Sequence, residues 1–503
     1  MAEAARGIAL AGARGVIGIL ALGVAVASVA AASLLPIPSL GTGPASRVVT
    51  PVAATQQRIC AGPVLRLGDD TGKEATTAIS LGRASVARAA TVGTPGLEDL
   101  DATGREGNNP SQRLVLAAAA EGEDPGVLAG SQSQEVAVDD YVGFAASECS
   151  TPGSESWLVG GSTITGRTTL LALNNPSRVS ATVSITIYSE NGVETAAGTD
   201  GIVVPPGGQR ILSLAGFAPG LESPVVHVVS TGGQVSANLQ ESIVRTLAPG
   251  GVDTIGTSAR PSTLAVIPGV VVTAHDAVDA ARAIDGYQDA RGVVRILIPA
   301  AGSHPVTISA YAEDGTAATS TSDLTVEGGI VTDLPLGDFV EGTWTITVSS
   351  DSPVLAAART TTVTLGGDAA GTSGGSAQGG DAAETLPTVA ATDLGWYASA
   401  PALHGTSLLS VAPGPSPTLH LVNTATADAV VSVDDLAGAS TTVTIPASTA
   451  VAVPVVAGSS YLLGGFDALR ASVSYQGDGQ LAGFTVSPPQ RVSQPVTVYT
   501  QYG

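Results

Sequence analysis

A mainly β chain, built of tandem immunoglobulin-like β-sandwich modules preceded by one N-terminal transmembrane helix, is what three features of this sequence predict. The first is a near-repetition: VSITIYSENG at residues 183–192 returns as VTISAYAEDG at 306–315, with Val183, Ile185, Tyr188, Glu190 and Gly192 answered by Val306, Ile308, Tyr311, Glu313 and Gly315. The second is composition. Aromatics make up 3% and charged residues 13% of the 503-residue chain, and Val, Ala, Thr, Ser and Gly suit short strands with small-residue turns better than a helical enzyme. The third is one long charge-free run near the start.

That run, Val16–Leu35, is 20 residues long, follows Arg6 and Arg14, and is stopped by Pro36 and Pro38. Its length spans a bilayer, and the preceding arginines place residues 1–15 in the cytoplasm and everything after Pro36 outside. Ala30–Ala32 offers a cleavage-like site, yet the run exceeds the h-region of a signal peptide, so a retained signal-anchor is favoured over a cleaved leader. Pro/Gly/Ser-rich residues 36–50 read as a linker.

Residues 51–155 read as an N-terminal β domain with short apolar stretches between turn-rich segments. Cys60 and Cys149 are the only cysteines; an even count in an exported chain favours a disulfide between them. Metal binding is disfavoured, because no CxxC or Cys/His cluster accompanies them.

Three β-sandwich repeats follow, at 156–260, 261–365 and 387–503. In VSITIY the alternation puts Val183, Ile185 and Ile187 on one face and Ser184, Thr186 and Tyr188 on the other, as a half-buried strand requires. Placing Ala429 opposite Val306 repeats the 123-residue interval. Asn191-Gly192 and Asp314-Gly315 suit hairpin turns. Between the second and third repeats, residues 366–386 lack large apolar side chains and read as a disordered linker. Residues 275–292 form the one soluble helical candidate, with its Asp residues on a solvated face.

The arginines, the single membrane segment, the cysteine pair Cys60 and Cys149, and the set Trp157, Gly160, Gly161, Asn174, Asn175 and Pro176 resemble an uncharacterised family of extracytoplasmic proteins of high-GC Gram-positive bacteria, known only as a domain of unknown function. The resemblance implies location and β-rich architecture and lends no catalytic residues.

The net charge of −22 argues against nucleic acid as a partner. GTSGG at 371–375 matches G-x-S-x-G but lacks the strand and helix that an elbow needs. His227, His275, His304, His404 and His420 show no ligand spacing. Asp139/Asp140 and Asp434/Asp435 read as turn residues. LPTVA at 386–390 lacks the glycine, tail and terminal position of a sorting signal. No catalytic, cofactor or metal residue is therefore predicted. Of the three tryptophans, Trp157, Trp344 and Trp396, the first and last are the candidate ligand-contact aromatics; standing 239 residues apart before their repeats, those two read more readily as recurring core residues. The expected function is a non-enzymatic, membrane-anchored cell-envelope protein with a structural or protein/glycan-interaction role. The alternative is a carbohydrate-binding or glycan-processing accessory. The expected partners are the membrane and an envelope protein or glycan.

Overall fold

The computed structural model describes residues 20, 22–28, 46–49, 56–68, 78–102, 113–117, 126–245, 248–315, 320–337, 339–366, 388–489 and 496–499. They fall in two compact units. Met1–Pro51 with Gln494–Gly503 makes one, and Val52–Ser493 the other. In the first, Ser46–Val49 pairs antiparallel with Val496–Tyr499. Residues predicted as the end of a linker and the end of the third repeat are therefore strand partners; a four-residue strand is too short for its alternation to be read. Most of Val16–Leu35 lies outside the described residues, although 22–28 are helical. No helix among the described residues is long and apolar enough to cross a membrane.

Among the described residues, the second unit is β apart from one α-helix and one short 3-10 turn. Besides the two-residue strand Gly192–Val193, which pairs with the end of Ala181–Ser189, its first module uses eight strands: Glu155–Val159, Arg167–Asn175, Ala181–Ser189, Ile202–Val204, Gly208–Ser213, Val225–Gly232, Ser236–Arg245 and Ala248–Ile255. Numbered in that order, they pair 1-6-3-4 in one sheet and 8-7-2-5 in the other. The second module repeats this order with Ser262–Val272, Val293–Leu297, Ser303–Ala312, Ser320–Glu327 and Thr332–Pro335. The 24-residue strand Gly342–Leu365 serves as both sixth and seventh, and Val389–Ala398 is the eighth. The third does the same with Leu403–Ser410, Thr418–Asn423, Ala429–Asp435, Ser440–Ile445 and Thr449–Pro454, then the 18-residue strand Ser460–Gly477, then Gln480–Thr485. A strand that bends from one sheet into the other joins the two layers at a corner.

Two expectations are corrected. The sandwiches lack the immunoglobulin order, because the first strand pairs with the sixth, whereas in that fold it pairs with the second; turn spacing fixes how many strands there are but not which of them pair. The second module also runs on past 365. Val389–Ala398 pairs with Ala357–Leu365, so the break between modules falls near residue 400, and the predicted linker 366–386 falls within the second module's span, all of it but Gly366 outside the described residues.

Each core sits between its two sheets. Val183, Ile185 and Ile187 are buried while Ser184 is exposed, so the alternation reads true. Val306 and Ala310 are buried, with half-buried Ile308 packed on the same core. Ile185 faces Val228 and Ile308 faces Val348, each on the sixth strand. The helix is shorter than the periodicity predicts and spans His275–Arg282; Asp276, Asp279 and Asp285 are exposed, but Asp289 is half-buried.

Ahead of these modules, the described residues within 56–150 form small sheets. Tyr141–Glu148, Leu128–Val138 and Ser85–Ala90 make one; Gln56–Ile59, Arg113–Ala117 and Gly96–Asp99 another. Cys60 and Cys149 are disulfide-bonded, 89 residues apart in sequence. Tyr141–Glu148 packs against Ala248–Ile255, that strand against Val389–Ala398, that against Gln480–Thr485, and the last returns to Tyr141–Glu148. The final strands of the four domains thus close a ring.

Candidate functional site

At the centre of that ring lies Asp393, fully buried. Its Oδ2 accepts the backbone N–H of Phe144 at 2.9 Å and of Leu481 at 3.1 Å, and its Oδ1 accepts that of Val252 at 3.2 Å. One carboxylate therefore takes a donor from each of the other three domains. Close approach requires Gly143, at φ 153°, where a Cβ would fall 2.4 Å from Asp393 Oδ1. Beside it, Asp253 Oδ2 accepts the Trp396 backbone N–H at 2.7 Å, and Glu241 Oε2 accepts the Trp396 indole N–H at 2.6 Å. Burial pushes Asp253 and Asp393 well above the usual carboxyl range, against the pull of their N–H donors, and neighbouring Asp393 and Glu241 push Asp253 further.

A second polar array lies between the second and third modules. His420 Nδ1 is 2.5 Å from Glu313 Oε2 and its Nε2 is 2.8 Å from Ser474 Oγ. Glu313 Oε1 accepts from Gly269 N–H at 3.0 Å and Thr345 Oγ1 at 2.6 Å. Burial raises the Glu313 pKa, but His420, Thr345 and Gly269 outweigh it and hold the carboxyl below its ordinary value. Desolvation, with Glu313 nearby, pushes Tyr311 up to about 12. The connectivity is that of a serine triad. Access is not: His420 is 0% and Ser474 3% exposed, and a Cβ on Gly269 would fall 2.3 Å from the imidazole. With Ser472 Oγ donating to the Pro268 carbonyl at 2.8 Å, the array joins two modules. Residues 313, 420 and 474 are too far apart in sequence for any motif to have shown them together.

The candidate aromatics do not stand at matching positions. Trp157 is on the first strand of the first module, and Trp396 on the last strand of the second; the misplaced module boundary made them look equivalent. Trp396 is 2% exposed, with the Arg295 guanidinium 4.8 Å over its ring. Trp157, 6% exposed, borders a cleft of about 410 Å³ shared with Glu155, Arg260, Pro401 and Pro488. His227 stacks on the indole at 3.8 Å and 11°, and Tyr188 lies 5.9 Å away. Trp344 packs in the second core against Phe339.

The remaining histidines keep local partners: His304 meets Asp351 at 3.1 Å, His404 meets the Asp467 carbonyl at 2.8 Å, and His275 lies 3.6 Å from Asp279. Asp139 and Asp140 sit exposed at a hairpin, and Asp435 accepts the Ala437 N–H at 2.8 Å. Residues 371–375 lie outside the described residues. No group of three or more His, Cys, Asp or Glu among the described residues could hold a metal ion. Sequence reasoning missed Asp253 and Asp393; their signal was an acid inside an apolar strand, GGVDTI and VAATDLGWYA.

No curated protein matches the chain. A crystal structure of a tetra-tandem repeat in the extending region of a large adhesion protein is similar at 14% identity, covering 88% of this chain and 94% of that one, with a TM-score of 0.11; at that score the likeness carries no argument. Residues 103–456 match the description "Family of unknown function (DUF5719)". That stretch is well over half of the 503 residues, and the chain belongs to this family of unknown function.

Proposed function

We propose that this protein is a non-enzymatic, membrane-anchored extracytoplasmic scaffold that presents one rigid β assembly to a protein or glycan of the cell envelope. The observation that carries the reading is Asp393, whose carboxylate is occupied by backbone N–H groups of three other domains. The Ser474–His420–Glu313 array likewise serves a junction. A carboxylate held by three N–H groups is committed to structure.

Export is supported by the Cys60–Cys149 disulfide, which persists in oxidising compartments. Anchoring is supported by the charge-free run and by helical residues Leu20, Leu22, Val24 and Val26, which leave more than half of each side chain exposed, an apolar surface that a bilayer would cover. A glycan-binding role through Trp157 would need a free indole face, and His227 and Tyr188 flank that ring.

Two experiments test the reading. Protease added to intact cells without their outer wall layers should digest the protein from residue 51 onward while it stays in the membrane fraction; a protease-shielded protein with reduced cysteines would contradict it. In a deletion strain, Ser474→Ala should restore function and Asp393→Ala should not. The reverse pattern would point to chemistry at Ser474.

A further inference from the structure

The four strands that ring Asp393 run out into one cleft. Residues 150–153 follow Tyr141–Glu148, 257–260 follow Ala248–Ile255, Pro401 follows Val389–Ala398 and 487–489 follow Gln480–Thr485, and all of them line the same space of about 410 Å³. Every domain thus supplies one wall. Clefts between domains, of about 300–1,000 Å³, are where small ligands commonly bind.

Glu155 and Arg260 are the only charged groups among the described residues of that lining, so it carries no net charge. Trp157 Nε1 donates to Glu155 Oε1 at 3.3 Å and His227 Nε2 lies 3.1 Å from the same oxygen, which fixes the carboxylate and leaves Oε2 with Arg260 alone, 3.6 Å away. Burial pushes the Glu155 carboxyl up, but His227, Trp157 and Arg260 outweigh it and hold it below its ordinary value, so it is charged. The Arg260 side chain is 75% exposed, and its guanidinium makes no hydrogen bond among the described residues. The hydroxyls of half-buried Ser156 and Thr257 make none either. An acceptor, a donor and two groups that do both therefore face one neutral space.

Such a set suits a ligand without net charge that donates and accepts at neighbouring atoms. An anion would meet a guanidinium already set against a carboxylate. A peptide strand is blocked, because the Trp157 carbonyl, at the sheet edge, already accepts the Ser258 N–H at 2.9 Å, and strand addition needs that edge free. His227 covers the indole face, so a sugar here is gripped by its hydroxyls and not stacked. We propose that this cleft binds a short neutral oligosaccharide, its hydroxyls held between Glu155 and Arg260. The proposal rests on the scaffold reading, because the cleft exists only while the ring is closed, and it names the glycan class and the place of contact.

The full chain in a sugar-free detergent, applied to immobilised cello-, malto- and N-acetylchito-oligosaccharides, tests it, with oligogalacturonates and deacetylated chito-oligosaccharides as acidic and cationic counterparts. At least one neutral series should bind, saturably and one per chain by calorimetry, and more tightly than either counterpart. Arg260→Ala should weaken that binding at least about tenfold at an unchanged melting temperature, and Thr257→Trp, which fills the cleft, should abolish it. No binding of any neutral series, a charged counterpart binding as tightly, or an affinity indifferent to Arg260→Ala would overturn the proposal. Should Thr257→Trp fail to fold, Arg260→Ala decides alone. A failure in protein whose four ring strands keep their amide-exchange protection strikes the ligand and leaves the scaffold reading standing.

Discussion

Asp393 places a carboxylate where no water can solvate it and surrounds it with N–H donors instead. Replacing it by Ala would leave those donors buried without an acceptor, and we expect a loss of about 3–5 kcal/mol in denaturant unfolding. Its neighbour Asp253 has a raised folded pKa, so its contribution is greatest below the unfolded value of about 3.9 and declines as pH rises toward the folded one. The stability of Asp253→Asn relative to the parent should therefore improve between pH 4 and 8; a gap that widens with pH would refute the assignment. Glu313 has the opposite sign. Its folded pKa is lowered, so its contribution is present above about 4.3 and is lost as pH falls. Glu313→Gln should flatten the acid limb of a melting-temperature profile, and an unchanged limb would count against the Glu313–His420 pair. Little of this was legible in the sequence. Acids within apolar strands hint at buried carboxylates, but only the fold brings a donor from residue 144, one from 252 and one from 481 to the same oxygen pair.

The repeating strand-and-turn unit was legible, because its signal is local. Gly192, Gly315 and Gly438 recur at intervals of 123 residues (315 − 192 and 438 − 315), each follows a third strand, and each has positive φ, at 108°, 69° and 112°. The turn therefore keeps its glycine even where the strand sequence has drifted. Asn175 and Asn423 show the same conservation of geometry between the first and third modules. Asn175 Nδ2 donates to the carbonyls of Val179 and Val204, and its Oδ1 accepts Ser177 N–H; Asn423 does the same with Ala427, Ile445 and Ala425. Counted from the turn Ala429 matches Val183, but counted from these asparagines Val431 does. The third strand of the third module is thus two residues shorter. What the sequence hid was partnership: the strand Val389–Ala398 looks like the start of a module, and hydrogen bonding makes it the end of one. Ile185→Asp would bury an unpaired charge between two sheets and should cost several kcal/mol. Proteolysis should then cut first within 155–255, and cuts elsewhere first would argue against separate cores.

The whole second unit combines separate cores with shared junctions. The disulfide fastens its N-terminal domain; by chain-entropy reasoning a loop of this length is worth about 4–5 kcal/mol. Cys60→Ser with Cys149→Ser should lower stability by that order, and thiol labelling of denatured, unreduced parent protein should find no free cysteine. Composition and turn spacing announced several β domains but not that their last strands would ring one carboxylate. Amide hydrogen exchange on the parent and on Asp393→Ala shows whether that ring ties the four domains together. Segments 141–148, 248–255, 389–398 and 480–485 should be among the slowest-exchanging of the parent and should lose protection together in the variant. Loss confined to 389–398, with the other three strands unchanged, would contradict it.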